Sequence, residues 1–155
     1  MFDPLAAPTD IPMPTIKKRS YGMVPVAIDS EGDRRFLILR AFRNWDFPKG
    51  AAERAETPLM AAAREMREET GISDFELPYG EICKDTEAYA GGKVATFFIA
   101  KVRQEKLTLP ISEELGRPEH NEYRWATAQE ARELLPVRLV AILDWVISID
   151  KKAAA

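Results

Sequence analysis

The residues best placed to do chemistry lie between Lys49 and Ile72, "KGAAERAETPLMAAAREMREETGI", where five glutamates occur within twenty-four residues. Glu65 and Glu69 are four apart and Glu65 and Glu68 three apart, so on a helix all three share one face. Like charges at this spacing cost a helix roughly 0.2–0.5 kcal/mol per pair. They also sit toward the C-terminal end of the segment, where the helix dipole disfavours negative charge. A hard divalent cation reverses the argument, because Mg²⁺ takes oxygen ligands and keeps several waters. The alternative is a solvated acidic face balanced by Arg64 and Arg67, and the segment alone does not decide between them.

The local signals predict a helix over about 58–70 to carry these groups. Thr57 can cap its start, and Pro58 suits the first turn. Leu59, Ala62, Ala63 and Met66 recur at i, i+3, i+4 and i+7, giving one stripe to face a core. The alanines allow close packing on a sheet. Gly71 can close the helix in the left-handed conformation.

Other elements must frame this helix. "YGMVPVAID" (21–29) predicts a strand, with Pro25 hinting at an edge or a bulge. "SEGD" (30–33) is a turn and "RRFLILRAF" (34–42) a buried strand, so the pair predicts a hairpin. Residues 43–50 read as a loop with two aromatics. Residues 74–102 read as two or three strands, with Gly91-Gly92 at a hairpin turn. Residues 103–120 form a loop rich in charge and proline, and "EYRWAT" (122–127) is a short strand. Thr127 and Glu130 make a capping box for a helix to about Leu135. Pro136 opens a last helix, with Leu139, Ile142, Leu143 and Val146 at helical spacing. Residues 1–19 read as a proline-rich tail, 20–150 as one domain and 151–155 as a frayed end. The class expected is α+β, a mixed sheet between helices.

Composition narrows the functional classes. With 155 residues and 46% apolar content, the chain suits one ordinary globular core. A net charge of −3 argues against stable, sequence-independent nucleic-acid binding. "KKR" (17–19) reads as solvated rather than as a phosphate contact. The single cysteine, Cys83, can make no internal disulfide; it reads as a small buried residue in a strand. No apolar run is long enough to cross a bilayer, so a soluble, cytoplasmic protein is the expectation. Oligomeric state is left open.

The wider spacing carries a resemblance. From Gly50 the chain runs five residues to Glu56, seven more to Arg64-Glu65-Met66, one to Glu68-Glu69, and one to Gly71-Ile72. This pattern resembles, without departure, the G-x5-E-x7-R-E-U-x-E-E-x-G-U signature of the Nudix hydrolases, where U is a bulky aliphatic residue. A chance match at a given start is on the order of 10⁻⁹ or rarer. The resemblance implies an α/β/α sandwich with a mixed sheet. It also implies attack of a metal-bound water on a phosphorus of a nucleoside diphosphate derivative. By the same resemblance Glu65, Glu68 and Glu69 are metal ligands, with Glu68 also a candidate base, and the Gly50 carbonyl is a further ligand. Arg64 and Glu56 form an ion pair that orients them. The implied ion is Mg²⁺, with Mn²⁺ as the alternative.

Three further stretches are similar to the asymmetrical diadenosine tetraphosphate hydrolases: "WDFPKG" (45–50), "YAGGKVATFF" (89–98) and "PEHNEYRW" (118–125). By that likeness Glu119 lies near the metals, and Lys49, Tyr89, Lys93 and Trp45 serve the substrate; Arg40 is a further substrate-binding candidate, one of the basic residues a diphosphoinositol polyphosphate would need. Aromatics of this kind stack on bases, and lysines neutralise phosphates. Trp45 could instead plug the sheet end, Tyr89 could be a surface residue, and Trp125 suits the core. His120, the sole histidine, suits a loop or supporting position, since a nitrogen ligand is unusual among so many carboxylates. The 103–120 loop is long for that group, and its Glu113 or Glu114 could replace Glu119. The expected partner is a small nucleotide, with diphosphoinositol polyphosphates, ADP-ribose and RNA 5′ ends as alternative substrates. A non-catalytic nucleotide-sensing module is the alternative of another class.

Overall fold

The computed structural model describes residues 18–154, with side chains described through Lys152. Most of the proline-rich stretch therefore lies outside the described residues. Lys18 and Arg19, assigned to it, open the first strand instead.

The central strand is β1 (Lys18–Ile28). It pairs in parallel with β6 (Lys93–Lys101) along one side. On its other side it changes partner partway, from β4 (Lys49–Gly50) at Tyr21 and Gly22 to β2 (Arg34–Ala41) at Val26 to Ile28, both antiparallel. Strand β3 (Asn44–Asp46) and β7 (Glu122–Ala126) both pair with β2, and β5 (Cys83–Asp85) pairs with β6. Helix α1 (Pro58–Thr70) lies on one face of this mixed sheet. Helices α2 (Ala128–Leu134) and α3 (Val137–Ala154) cover the other.

Alternation within the strands builds the two cores, because successive strand side chains point to opposite faces. Val24, Val26, Phe36, Ile38, Phe97 and Ile99 join Leu139, Ile142, Leu143 and Val146 of α3. Met23, Ala27, Leu37, Leu39, Phe98 and Ala100 meet Ala62 and Met66 of α1. The expected α/β/α sandwich is therefore present.

Four local expectations need correction. Pro25 marks neither edge nor bulge. Met23 donates its N–H to the Pro48 carbonyl, so the N–H that Pro25 lacks would point to the same side, into the interval where β1 exchanges β4 for β2. The 43–50 segment is not all loop, since β3 and β4 form within it. Cys83 is exposed, because β5 contributes three exposed residues at the sheet edge. The final helix continues through Ala154 instead of fraying at 151.

The close approach of β4 matters for the site. A Cβ added to Gly22 would lie 2.3 Å from the Pro48 carbonyl oxygen. Only glycine lets β4 sit there, and β4 carries Lys49 and Gly50. Among the described residues, no helix is long and apolar enough to cross a membrane.

Candidate active site

Helix α1 forms as its signals require. The Thr57 hydroxyl accepts from the Met60 N–H at 3.2 Å, and Gly71 closes the helix at φ 83°. Ala61, Ala62 and Met66 are wholly buried, which presses α1 onto the sheet and brings Glu65 and Glu69 against β4. The Lys49 N–H donates to Glu69 Oε2 at 3.0 Å. A Cβ on Gly50 would lie 2.1–2.4 Å from the carboxylate atoms of Glu65. That carboxylate thus occupies space which only a glycine leaves free.

Arg64 organises the outer side of the cluster. It meets Glu56 with two bonds, Nε to Oε2 at 2.8 Å and Nη2 to Oε1 at 3.1 Å. Nη2 also donates to the Ala51 carbonyl at 2.9 Å, and Nη1 bridges Glu65 and Glu68 at 3.0 Å each. The rigid guanidinium fork suits this multiple pairing. Hydrogen bonds from Arg64 hold the Glu56 carboxyl below the usual range, and Glu56 in turn raises Arg64.

The inner carboxylates lack comparable compensation. Burial pushes Glu69 well above the usual carboxyl range, and the charges of Glu119 and Glu65 push the same way. Burial also raises Glu65, against the opposing pull of Arg64. The loop before β7 reaches the helix, with His120 Nδ1 3.5 Å from Glu69 Oε1. Donor atoms of Glu69, Glu119 and His120 lie within 4.8 Å of one another. Three crowded carboxylates, one of them 7% exposed, are what a divalent cation would neutralise, so the residues fit a Mg²⁺ or Mn²⁺ site. Burial would lower Lys49, but Asp46 at 2.8 Å, with Tyr89 and Glu69, outweighs it and leaves its pKa above normal.

The remaining candidates fall into distinct places. Glu68 is exposed and tied to Arg64 on the solvent side. Tyr89 lies close enough to Lys49 to affect it, and Arg138 sits over the tyrosine ring at 3.9 Å. Lys93 is exposed at the start of β6, bridged through its backbone to Tyr89. Arg40 pairs with Glu122 and caps the Phe42 carbonyl. Trp45 is 7% exposed and packs in the α3-side core beneath Arg124. Trp125 packs at the α1-side core, and its indole N–H donates to the Glu105 carbonyl. The cluster closes with Glu119, without Glu113 or Glu114.

Two features carry little mark in the sequence. Phe42, 73% exposed, stands on the β2–β3 turn at φ 57°, with its N–H bonded to Asn121 Oδ1. Nothing in a single sequence marks an aromatic as exposed. His120 is buried with Nδ1 3.5 Å from Glu69 Oε1; its neighbour Glu119 was the only local hint.

A strand–loop–helix unit that gathers carboxylates between α1 and β4 of an α/β/α sandwich fits a Nudix hydrolase site. The NUDIX domain family matches residues 20–146, and the chain belongs to this family. Asymmetrical bis(5′-nucleosyl)-tetraphosphatase of Mus musculus is 32% identical over 105 residues, 64% of this chain and 68% of the relative. An RNA pyrophosphohydrolase of Roseobacter denitrificans is 28% identical over 118 residues, 64% of this chain and 72% of the relative. A C. elegans Ap4A hydrolase binary complex superposes with a TM-score of 0.72 at 21% identity, over 86% of this chain and 98% of that one. That last likeness is one of fold. The chain is a Nudix pyrophosphohydrolase.

Proposed function

We propose that this enzyme hydrolyses dinucleoside polyphosphates, diadenosine tetraphosphate to ATP and AMP. The observation that carries the reading is the approach of Glu119, from the "PEHNEYRW" run, to Glu69, with donor atoms of the two within 4.8 Å. The likeness to the mouse tetraphosphatase supports the same substrate class.

A Mg²⁺ or Mn²⁺ ion held by Glu65, Glu69 and Glu119, with Glu68 and the Gly50 carbonyl as further ligands, would supply positive charge for the phosphoryl oxygens and acidify a water. The protein's own groups do the rest. Arg64 and Glu56 fix the carboxylates, so little reorganisation accompanies binding. Lys49 stays protonated beside Asp46 and, with Lys93, holds phosphate charge. Tyr89, close to Lys49, orients the same end of the substrate. Glu68, paired with Arg64 on the solvent side, is the candidate base. The exposed Phe42 ring offers a stacking face on this hairpin, which the buried Trp45 does not.

The test is product analysis with Mg²⁺ on diadenosine tetraphosphate, beside ADP-ribose, a diphosphoinositol phosphate and 5′-triphosphate RNA. Fast release of ATP and AMP, with the others slow, is the expected result. Preference for the RNA would favour the second reading, which the Roseobacter relative supports. In the same assay Glu69→Gln should lose at least ~100-fold in kcat while keeping its fold, since a neutral amide is a poor ligand for a hard cation. A near-normal kcat would remove the metal assignment.

A further inference from the structure

The geometry points to His120 as a nitrogen ligand of the metal site, which would give that site a preference for Mn²⁺ over Mg²⁺. The imidazole is buried, with 9% of its side chain exposed, and its Nδ1 has no hydrogen-bond partner. A buried polar atom without a partner is costly and needs a reason. Nδ1 is aimed into the carboxylate cluster, 3.5 Å from Glu69 Oε1. Donor atoms of Glu69, Glu119 and His120 lie within 4.8 Å of one another. A cation ~2.1 Å from each donor needs donors no more than ~4.2 Å apart. The exposed carboxylate of Glu119 can rotate to close that difference.

The neighbouring charges leave this position open to a cation. Lys49 Nζ is committed to Asp46 at 2.8 Å and does not occupy it. Glu69 Oε2 accepts from the Lys49 N–H, so Oε1 is the oxygen that faces His120. Imidazole suits first-row transition ions, whereas Mg²⁺ prefers oxygen. With one nitrogen among the oxygens, Mn²⁺ gains over Mg²⁺.

The inference rests on the metal-site reading above, and the experiment separates the two. The full chain is prepared without a polyhistidine tag, so that His120 is its sole histidine. Mn²⁺ is added, and pulsed EPR is recorded on protein with natural-abundance histidine and with ¹⁵N-histidine. The expected result is a ¹⁴N coupling of directly bound nitrogen that becomes ¹⁵N on labelling. His120→Asn should lose the coupling and bind Mn²⁺ ~10–100-fold more weakly, with Mg²⁺ affinity changed less than ~3-fold. Isotope exchange in the unmutated protein decides the matter even if the variant folds poorly. Bound Mn²⁺ without histidine coupling would overturn the role of His120 and leave the carboxylate site intact. Failure to bind Mn²⁺ at all would overturn both.

Discussion

At the scale of single residues, the site depends on what is absent as much as on what is charged. Gly50 is the clearest case, because the Glu65 carboxylate lies where a side chain at position 50 would begin. Gly50→Ala has to displace only the far end of a flexible side chain, so its cost to stability should stay below ~1 kcal/mol. Its cost to catalysis should be much larger, since misplacing a ligand by about 1 Å can remove ~100-fold in rate. Thermal unfolding and kcat measured on the same preparation test this. An active Gly50→Ala enzyme would mean that the position of Glu65 does not matter.

At the scale of elements, the site is a junction between α1 and β4, and β4 is held by its approach to β1. Gly22→Ala differs in kind from Gly50→Ala. The added Cβ would lie 2.3 Å from the Pro48 carbonyl oxygen, 2.7 Å from Lys49 Cβ and 2.8 Å from the Phe97 ring. Backbone and a buried ring cannot step aside as a carboxylate can. The strand must shift, so stability should fall by ~1–3 kcal/mol and activity should fall with it. A Gly22→Ala protein with unchanged melting temperature and activity would show that β4 tolerates displacement. The helix itself was legible in advance, from Thr57 and Pro58 to Gly71, because its caps and apolar stripe are local. β3 and β4 were not legible. Strands of three and two residues carry no periodic signal and form by pairing with β2 and β1.

At the scale of the molecule, the carboxylate cluster should govern how stability depends on pH. Glu69 has a raised pKa in the folded protein against an ordinary value of 4.5. Between those values the folded state binds more protons than the unfolded one, so acidification stabilises the metal-free protein. Glu56, held down by Arg64, and Asp29, held down by the Asp33 N–H, act oppositely. Their stabilisation is present above the ordinary carboxyl values and is lost as pH falls through their lowered ones. With the metal chelated, the melting temperature should therefore rise as pH falls toward the ordinary carboxyl values and then fall below them, with His120, whose pKa burial lowers, opposing the rise below its ordinary value of 6.5. Glu69→Gln should flatten the rise. Saturating Mg²⁺ should lift the melting temperature at neutral pH, because it binds only the folded carboxylates. A metal-free melting temperature that falls steadily from neutral pH would contradict the crowding of Glu65, Glu69 and Glu119.

What the sequence by itself determined were the properties carried by near neighbours along the chain. These are the helix over 58–70, its shared acidic face and the hairpin at 30–33; the Glu56–Arg64 pairing came from the family resemblance. The spacing from Gly50 to Ile72 carried the family resemblance that implied the chemistry, and within the helix spacing converts directly into position. The tertiary structure decided everything that depends on distant segments meeting. It buried Trp45, exposed Phe42 and Cys83, and placed Pro25 where β1 exchanges partners. It also brought His120 to Glu69 across fifty residues of chain. Burial and orientation of such groups follow from how strands stack and loops return, and one sequence carries no local mark of either.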